Sequence, residues 1–108
     1  MSWTRIPDEF PDASWDRSDA ALRLHLAGLI YSNRLLTDGR IPKSRIAALV
    51  PRYRPAALRE LVDAGWWADR GDSIEILHDL QHQATAAEVR KRRADTAARV
   101  ARWRAEHA

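Results

Sequence analysis

The sequence predicts a mainly α fold with a small β-hairpin and a long C-terminal helix. Three observations predict it. Apolar residues recur at helical spacing in three segments between residues 20 and 64. Two short β-rich runs then flank the turn Arg70-Gly71-Asp72. Residues 85–107 contain neither Gly nor Pro and are rich in Ala, so nothing interrupts a helix there. A chain of 108 residues suits one domain.

Each element follows from local chemistry. Trp3-Thr4-Arg5-Ile6 alternates apolar and polar residues, as a short strand does. Ser18 is a natural N-cap, with Asp19 in the first turn where a carboxylate suits the helix dipole. Leu22, Leu26, Leu29 and Ile30 then fall on one helical face, widened by Leu24, Ala27 and Tyr31, to about Leu36. Thr37-Asp38-Gly39 ends this helix. Arg40-Ile41-Pro42 reads as an extended link, because Pro42 biases Ile41 away from helix. Pro42 opens a second helix with Ile46, Leu49 and Val50 inward, and Pro51 stops it. After the turn at residues 51–54, Pro55 opens a third helix with Leu58, Leu61 and Val62 inward and Gly65 as its C-terminal cap. Trp66–Asp69 and Ser73–Leu77 are the hairpin strands. Trp66 and Trp67, adjacent on a strand, must face opposite sides; one enters the core and the other needs a cover, which the tail helix is placed to supply. Three helices followed by a hairpin is the winged helix-turn-helix order. The chain divides into such a domain at 1–83 and a basic C-terminal helix at 84–108.

Charge is segregated along the chain. Residues 40–59 hold six bases and no acid, whereas residues 60–83 hold six acids and one base. Residues 84–108 hold seven bases and three acids. Sixteen of the 18 bases are Arg, the residue whose planar fork matches phosphate and guanine. The second and third helices are short and close together, as a DNA-reading helix-turn-helix requires. Arg52, Tyr53, Arg54 and Arg59 lie on the approach to, or the flank of, the helix expected in the groove. Lys43, Ser44 and Arg45 open the preceding helix, where phosphate contacts belong. Arg70 is at the wing tip. Arg90, Lys91, Arg92 and Arg93 are ancillary phosphate contacts on the tail. Glu60 and Asp63, expected to point outward, would confine groove contacts to the first turns of the third helix. Only Val89, Val100 and Trp103 are large apolar residues beyond residue 83, so the tail has no core of its own. It must dock on the body, pair with another chain or lie on a charged partner; Arg93 and Thr96 interrupt its heptad seam.

Other classes lack support. There is no Cys, which excludes disulfides and thiolate catalysis. No apolar run is long enough to span a membrane. The opening residues show no secretory pattern, so an intracellular location is expected. His78 and His82 have an i, i+4 spacing, but no Glu lies between them and no third ligand follows, so no metal or other cofactor is expected. His25, mid-helix among leucines, reads as a flank or a satisfied core histidine rather than a base. The four Gly are isolated, so no phosphate loop exists. No catalytic constellation is present, and the chain is not expected to be an enzyme.

The opening Met1-Ser2-Trp3-Thr4-Arg5-Ile6-Pro7-Asp8 with Phe10-Pro11-Asp12 resembles the start of small winged-helix proteins of actinobacterial phages and prophages. So do Ala20–His25, Asn33–Pro42, Glu60–Trp67, Ile76–Leu80 and the Arg-rich tail, which together cover nearly the whole chain. These proteins are similar to the N-terminal DNA-binding domain of phage replication initiators, the replisome organisers. The resemblance implies a winged helix that binds double-stranded DNA, in replication initiation or transcription regulation. Longer relatives carry a further C-terminal region that recruits helicase or its loader. No counterpart is expected in residues 84–108, so a small regulator of phage or mobile-element genes stands beside the initiator as the expected role. Two alternatives remain open at this stage: a homodimer built through the tail, and an adaptor whose winged helix and tail bind a host or phage replication, recombination or transcription protein.

Overall fold

A computed structural model describes residues 3–108 and shows a mixed α+β fold with five α-helices and a three-stranded antiparallel sheet. The order is α1 (Phe10–Ala13), α2 (Asp19–Leu35), β1 (Arg40–Pro42), α3 (Lys43–Ile46), α4 (Pro55–Asp63), β2 (Trp67–Asp69), β3 (Ser73–Ile76), a 3-10 turn (Leu80–His82) and α5 (Ala86–Glu106). The Ser18 side chain accepts the Ala21 N–H, and Gly65 takes the left-handed conformation (φ 77°) that ends α4.

The sheet order is β1-β3-β2. The extended link at Arg40–Pro42 is therefore a third strand, where the sequence had predicted only a hairpin. Ile41 lies opposite Ile74 and both are fully buried, so the pairing is driven by the core and not by strand propensity. The predicted strand at Trp3–Ile6 does not form. Its backbone is satisfied by a side chain instead: Arg5 N–H donates to Gln83 Oε1 (2.9 Å), and Gln83 Nε2 donates back to Arg5 O (2.6 Å). The second predicted helix is one turn long. Beyond Ile46 the chain tightens to i→i−3 bonds at Ala48 and Leu49, leaving Leu49 and Val50 half-buried.

The core packs α2 and α4 against the sheet. The buried face of α2 is Ala21, Leu24, His25, Gly28, Leu29 and Ser32. Of the predicted face, Leu24 and Leu29 are buried as expected, but Leu22, Leu26 and Ala27 are only half-buried and Ile30 is exposed, so the face is rotated. A close approach dictates the rotation. A Cβ on Gly28 would sit 2.7 Å from Trp67 Cζ2 and 3.2 Å from Ile41 Cδ1, so only glycine admits the indole. Trp67 Nε1 donates to His25 Nδ1 (2.9 Å), and an indole N–H can only donate. His25 Nδ1 is thus an acceptor, and the imidazole proton resides on Nε2, which donates to Asp79 Oδ2 (3.1 Å). Burial holds the His25 pKa below its ordinary 6.5 against the opposing pull of Asp79, keeping the ring neutral.

Trp66 is covered by α1 and His78, not by the tail. His78 stacks on it at 3.8 Å, Phe10 lies at 6.2 Å, and the Arg17 guanidinium sits 5.8 Å from its ring. The tail cannot reach it because α5 touches the body only at its root. Ala86 N–H donates to Asp38 Oδ1 (2.7 Å), Ala86 and Val89 are buried, and every residue from Arg90 onward is exposed. The molecule is accordingly elongated, 58 × 31 × 23 Å. Among the described residues, no helix is long and apolar enough to cross a membrane.

Gly28→Ala tests the close approach. Overpacking costs about 1–3 kcal/mol, against ~1 kcal/mol gained from helix propensity, so the denaturation midpoint falls. The neutral His25 makes a second expectation. The unfolded chain takes up its proton first on acidification, so stability is complete above pH 6.5 and declines below it. The slope from this one proton is at most about 1.4 kcal/mol per pH unit, readable from urea midpoints across that range.

Candidate nucleic-acid interface

The bases of residues 40–59, together with Arg70 of the hairpin, divide into two groups. Three bases of the sheet side carry ion pairs: Lys43 Nζ with Asp69 Oδ1 (2.8 Å), Arg70 with Glu75 (2.9 Å) and Arg40 with Glu75 (3.2 Å). The Lys43 ammonium holds Asp69 below the usual carboxylate range, and the Arg70 guanidinium does the same for Glu75. Lys43 and Arg70, two expected phosphate contacts, are therefore occupied by the hairpin. These pairs are solvent-exposed, hence weak and exchangeable.

The second group is unpaired. Arg45 on α3, Arg52 and Arg54 in the loop before α4, and Arg59 on α4 are exposed, and among the described residues none has a carboxylate within salt-bridge distance. Ser44 is exposed beside Arg45, whereas Tyr53 is half-buried and packs against the core, anchoring the loop. Arg54 is extended (φ −119°, ψ 121°) at the N-cap position of α4, with Pro55 in the first turn. Arg52 has φ 58°, a left-handed conformation that costs a β-carbon-bearing residue about 1–2 kcal/mol.

Arg52 and Arg54 line a groove of about 310 Å³ whose opposite wall is the first turns of α2, with Arg23 and Asp19. Arg23 was not among the sequence candidates. No spacing rule links it to Arg52, because α2–α4 packing alone brings them together. Glu60, expected to face outward and repel phosphate, is turned toward α2. Its carboxylate accepts Ser18 N–H (2.9 Å) and Ser18 Oγ–H (2.7 Å), with Arg17 at 3.7 Å. The Ser18 backbone bond foremost lowers the Glu60 pKa. Glu60 and Asp63 nonetheless line one shallow cleft with Arg59, and Asp19 lines the groove with Arg52 and Arg54, so these are the acids beside the unpaired arginines.

On α5, Arg90, Arg92 and Arg93 are exposed and unpaired among the described residues, and Lys91 bonds Asp95 (3.3 Å). His78 and His82 do not share a helix, and no cluster of three metal-binding side chains occurs among the described residues. Comparison of the chain with family models, curated proteins and solved structures yields no match.

Glu60 staples the start of α2 to α4, so Glu60→Ala lowers stability by about 1 kcal/mol, less than a buried charge-assisted bond because the site is open to water. Its carboxyl titrates lower in the folded than in the unfolded chain. The staple therefore stabilises above its ordinary pKa of 4.5 and is lost as pH falls below it. Urea midpoints of the two proteins should converge in acid.

Proposed function

We propose that the chain binds double-stranded DNA through a winged helix-turn-helix formed by α2, β1, α3, α4 and the β2–β3 hairpin. The observation that carries this reading is the unpaired state of Arg45, Arg52, Arg54 and Arg59. Around the hairpin the chain matches Arg40, Lys43 and Arg70 to carboxylates. From α3 to α4 it leaves four planar forks free in a short stretch, joined across the groove by Arg23, equally unpaired among the described residues, while Arg5 and Arg34 are isolated unpaired bases elsewhere. Guanidinium forks without internal partners suit phosphate oxygens and the edge of guanine. The strand order β1-β3-β2 also supports the reading, because it places a three-residue wing tip, Arg70–Asp72, at the end of the sheet and beside the start of α3.

In this reading the first turns of α4 enter the major groove. Arg54 and Arg59 meet base edges, and Arg45 with Ser44 contacts phosphate beside the groove. Arg52 holds a phosphate at the mouth of the groove it shares with Arg23. The wing and α5 add sequence-independent charge once Lys43, Arg70 and the tail bases exchange their exposed carboxylates for phosphate. The role that suits this chemistry is site recognition in replication initiation or transcription regulation of a phage or mobile element, in the bacterial cytoplasm.

A titration of fluorescent duplex DNA at about 50 and 200 mM salt tests the reading, with an affinity loss of ~10³-fold or more expected if six or more phosphates are neutralised. Arg54→Ala should weaken binding and relax sequence preference by about 1–3 kcal/mol at one base pair. Arg52→Gly separates folding from binding. It relieves a left-handed arginine, so thermal stability holds or rises, while the salt slope falls by about one unit. Salt-independent affinity, or affinity indifferent to Arg54, refutes the assignment.

A further inference from the structure

The distal part of α5 carries an apolar tip that packs on no other described element; Trp103 stacks only on His107 at the end of the same helix (4.3 Å). Val100 is 42% and Trp103 60% exposed, flanked by Arg99, Arg102 and Arg104. A helical segment this long without tertiary contacts is marginal in water, and an indole at its end is an anchor without a socket. A matching socket exists on the same chain. A groove of about 560 Å³ opens at the root of α5, between α2, β3 and the 3-10 turn. Its apolar lining includes Leu36, Leu77 and Leu80, with Leu77 44% exposed. Its charged lining is Asp38, Glu75 and Glu88, and no Lys or Arg lines it. Glu88 bonds only Thr85 and has no basic partner among the described residues.

The tip cannot fill its own groove. Ala86 lines the groove, and Trp103 lies roughly 25 Å further along one continuous helix. We infer that the groove receives the α5 tip of a second copy of this chain, and that two copies exchange tips reciprocally about a two-fold axis. Antiparallel α5 helices set Val100 and Trp103 of each copy beside Ala86 of the other. The indole enters the leucine-lined groove, and Arg99, Arg102 and Arg104 approach its acidic rim, where Glu88 is the carboxylate without a basic partner among the described residues; Glu75 already pairs with Arg40 and Arg70, and Asp38 caps α5. The exchange is isologous, since each tip–groove contact has a symmetric counterpart, so assembly closes at two. It also accounts for a polar seam centre. Arg93 and Thr96 lie mid-helix, where two antiparallel helices cross and where the apolar anchors at the ends make a continuous heptad unnecessary. This interaction does not depend on DNA recognition.

Sedimentation equilibrium of the full chain without DNA tests it, so a failure here leaves the DNA reading untouched. A concentration-dependent dimer is expected, essentially complete at about 100 µM. Trp103→Ala should raise its dissociation constant about tenfold or more, and Arg102→Glu should act in the same direction. Both positions are exposed and remote from the core, so the monomer fold is retained and is checked by its unchanged urea midpoint. The chain has no Cys, which permits a geometric test. Gln81→Cys, on the groove, mixed with Arg104→Cys, at the tip, should form a disulfide-linked heterodimer on oxidation, with neither protein alone crosslinking as well. A wild-type monomer at that concentration, a dimer indifferent to Trp103, or crosslinking of Arg104→Cys chiefly with itself would each overturn the inference.

Discussion

The fit of one indole against one glycine organises this molecule. Trp67 lies against Gly28 on α2, close enough that no β-carbon is admitted, and its N–H finds His25 one turn earlier on the same helix. Those two contacts fix both the rotation of α2 and its height over the sheet. His25, committed as acceptor on Nδ1, must give its proton to Asp79. Asp79 adopts φ 65° to bring its carboxylate back to the ring, and its carbonyl accepts from Gln83. Gln83 in turn binds the backbone of Arg5 and the side chain of Asn33. The N-terminal segment, α2, the sheet and the linker before α5 thus hang on one polar chain within an apolar core. Buried polar networks of this kind tolerate little change, because each unpaired member bears its full desolvation cost.

That arrangement also explains which parts of the fold were legible from residue types. The longer helices and the β2–β3 hairpin were readable, because caps and breakers announce them: Ser18, Pro55 and Gly65 stand where local chemistry requires, whereas α1 (Phe10–Ala13) forms where the sequence predicts a turn. The face of α2 was not readable, since it is centred on Gly28, His25 and Ser32, residues that hydrophobic periodicity scores as polar or neutral. The third strand was hidden for the opposite reason: a three-residue segment ending in Pro42 has almost no strand signal, and only Ile74 across the sheet makes it one. Trp3–Ile6 had the strand signal without a strand partner, and a glutamine side chain took its place. The cover for Trp66 came from Phe10 and His78, short elements whose apolar content is too small to register as packing units.

For the candidate interface, sequence located the basic cluster but could not sort it. Lys43 and Arg70 looked equivalent to Arg52 and Arg54 as linear charge. The hairpin separates them by placing Asp69 and Glu75 against the first pair, and α2 adds Arg23 to the second. Glu60 shows the same limitation with the sign reversed. A helix wheel assigns it to solvent, yet its carboxylate serves the backbone of α2, which engages a negative charge that still borders Arg59.

The unpaired arginines also bear on stability. Like charges gathered on one face repel in the folded state more than in the extended chain, and Arg52 adds backbone strain in the same loop. A fold selected for stability alone would place carboxylates there, as it does along the hairpin, and glycine at position 52. The core supplies the margin that lets this face remain frustrated: Trp67, Leu24, Leu29, Ile41, Leu61, Ile74 and Ile76 are almost wholly removed from water. On the proposed reading, an anion held between Arg52 and its neighbours would relieve this repulsion without any reorganisation of the core behind it.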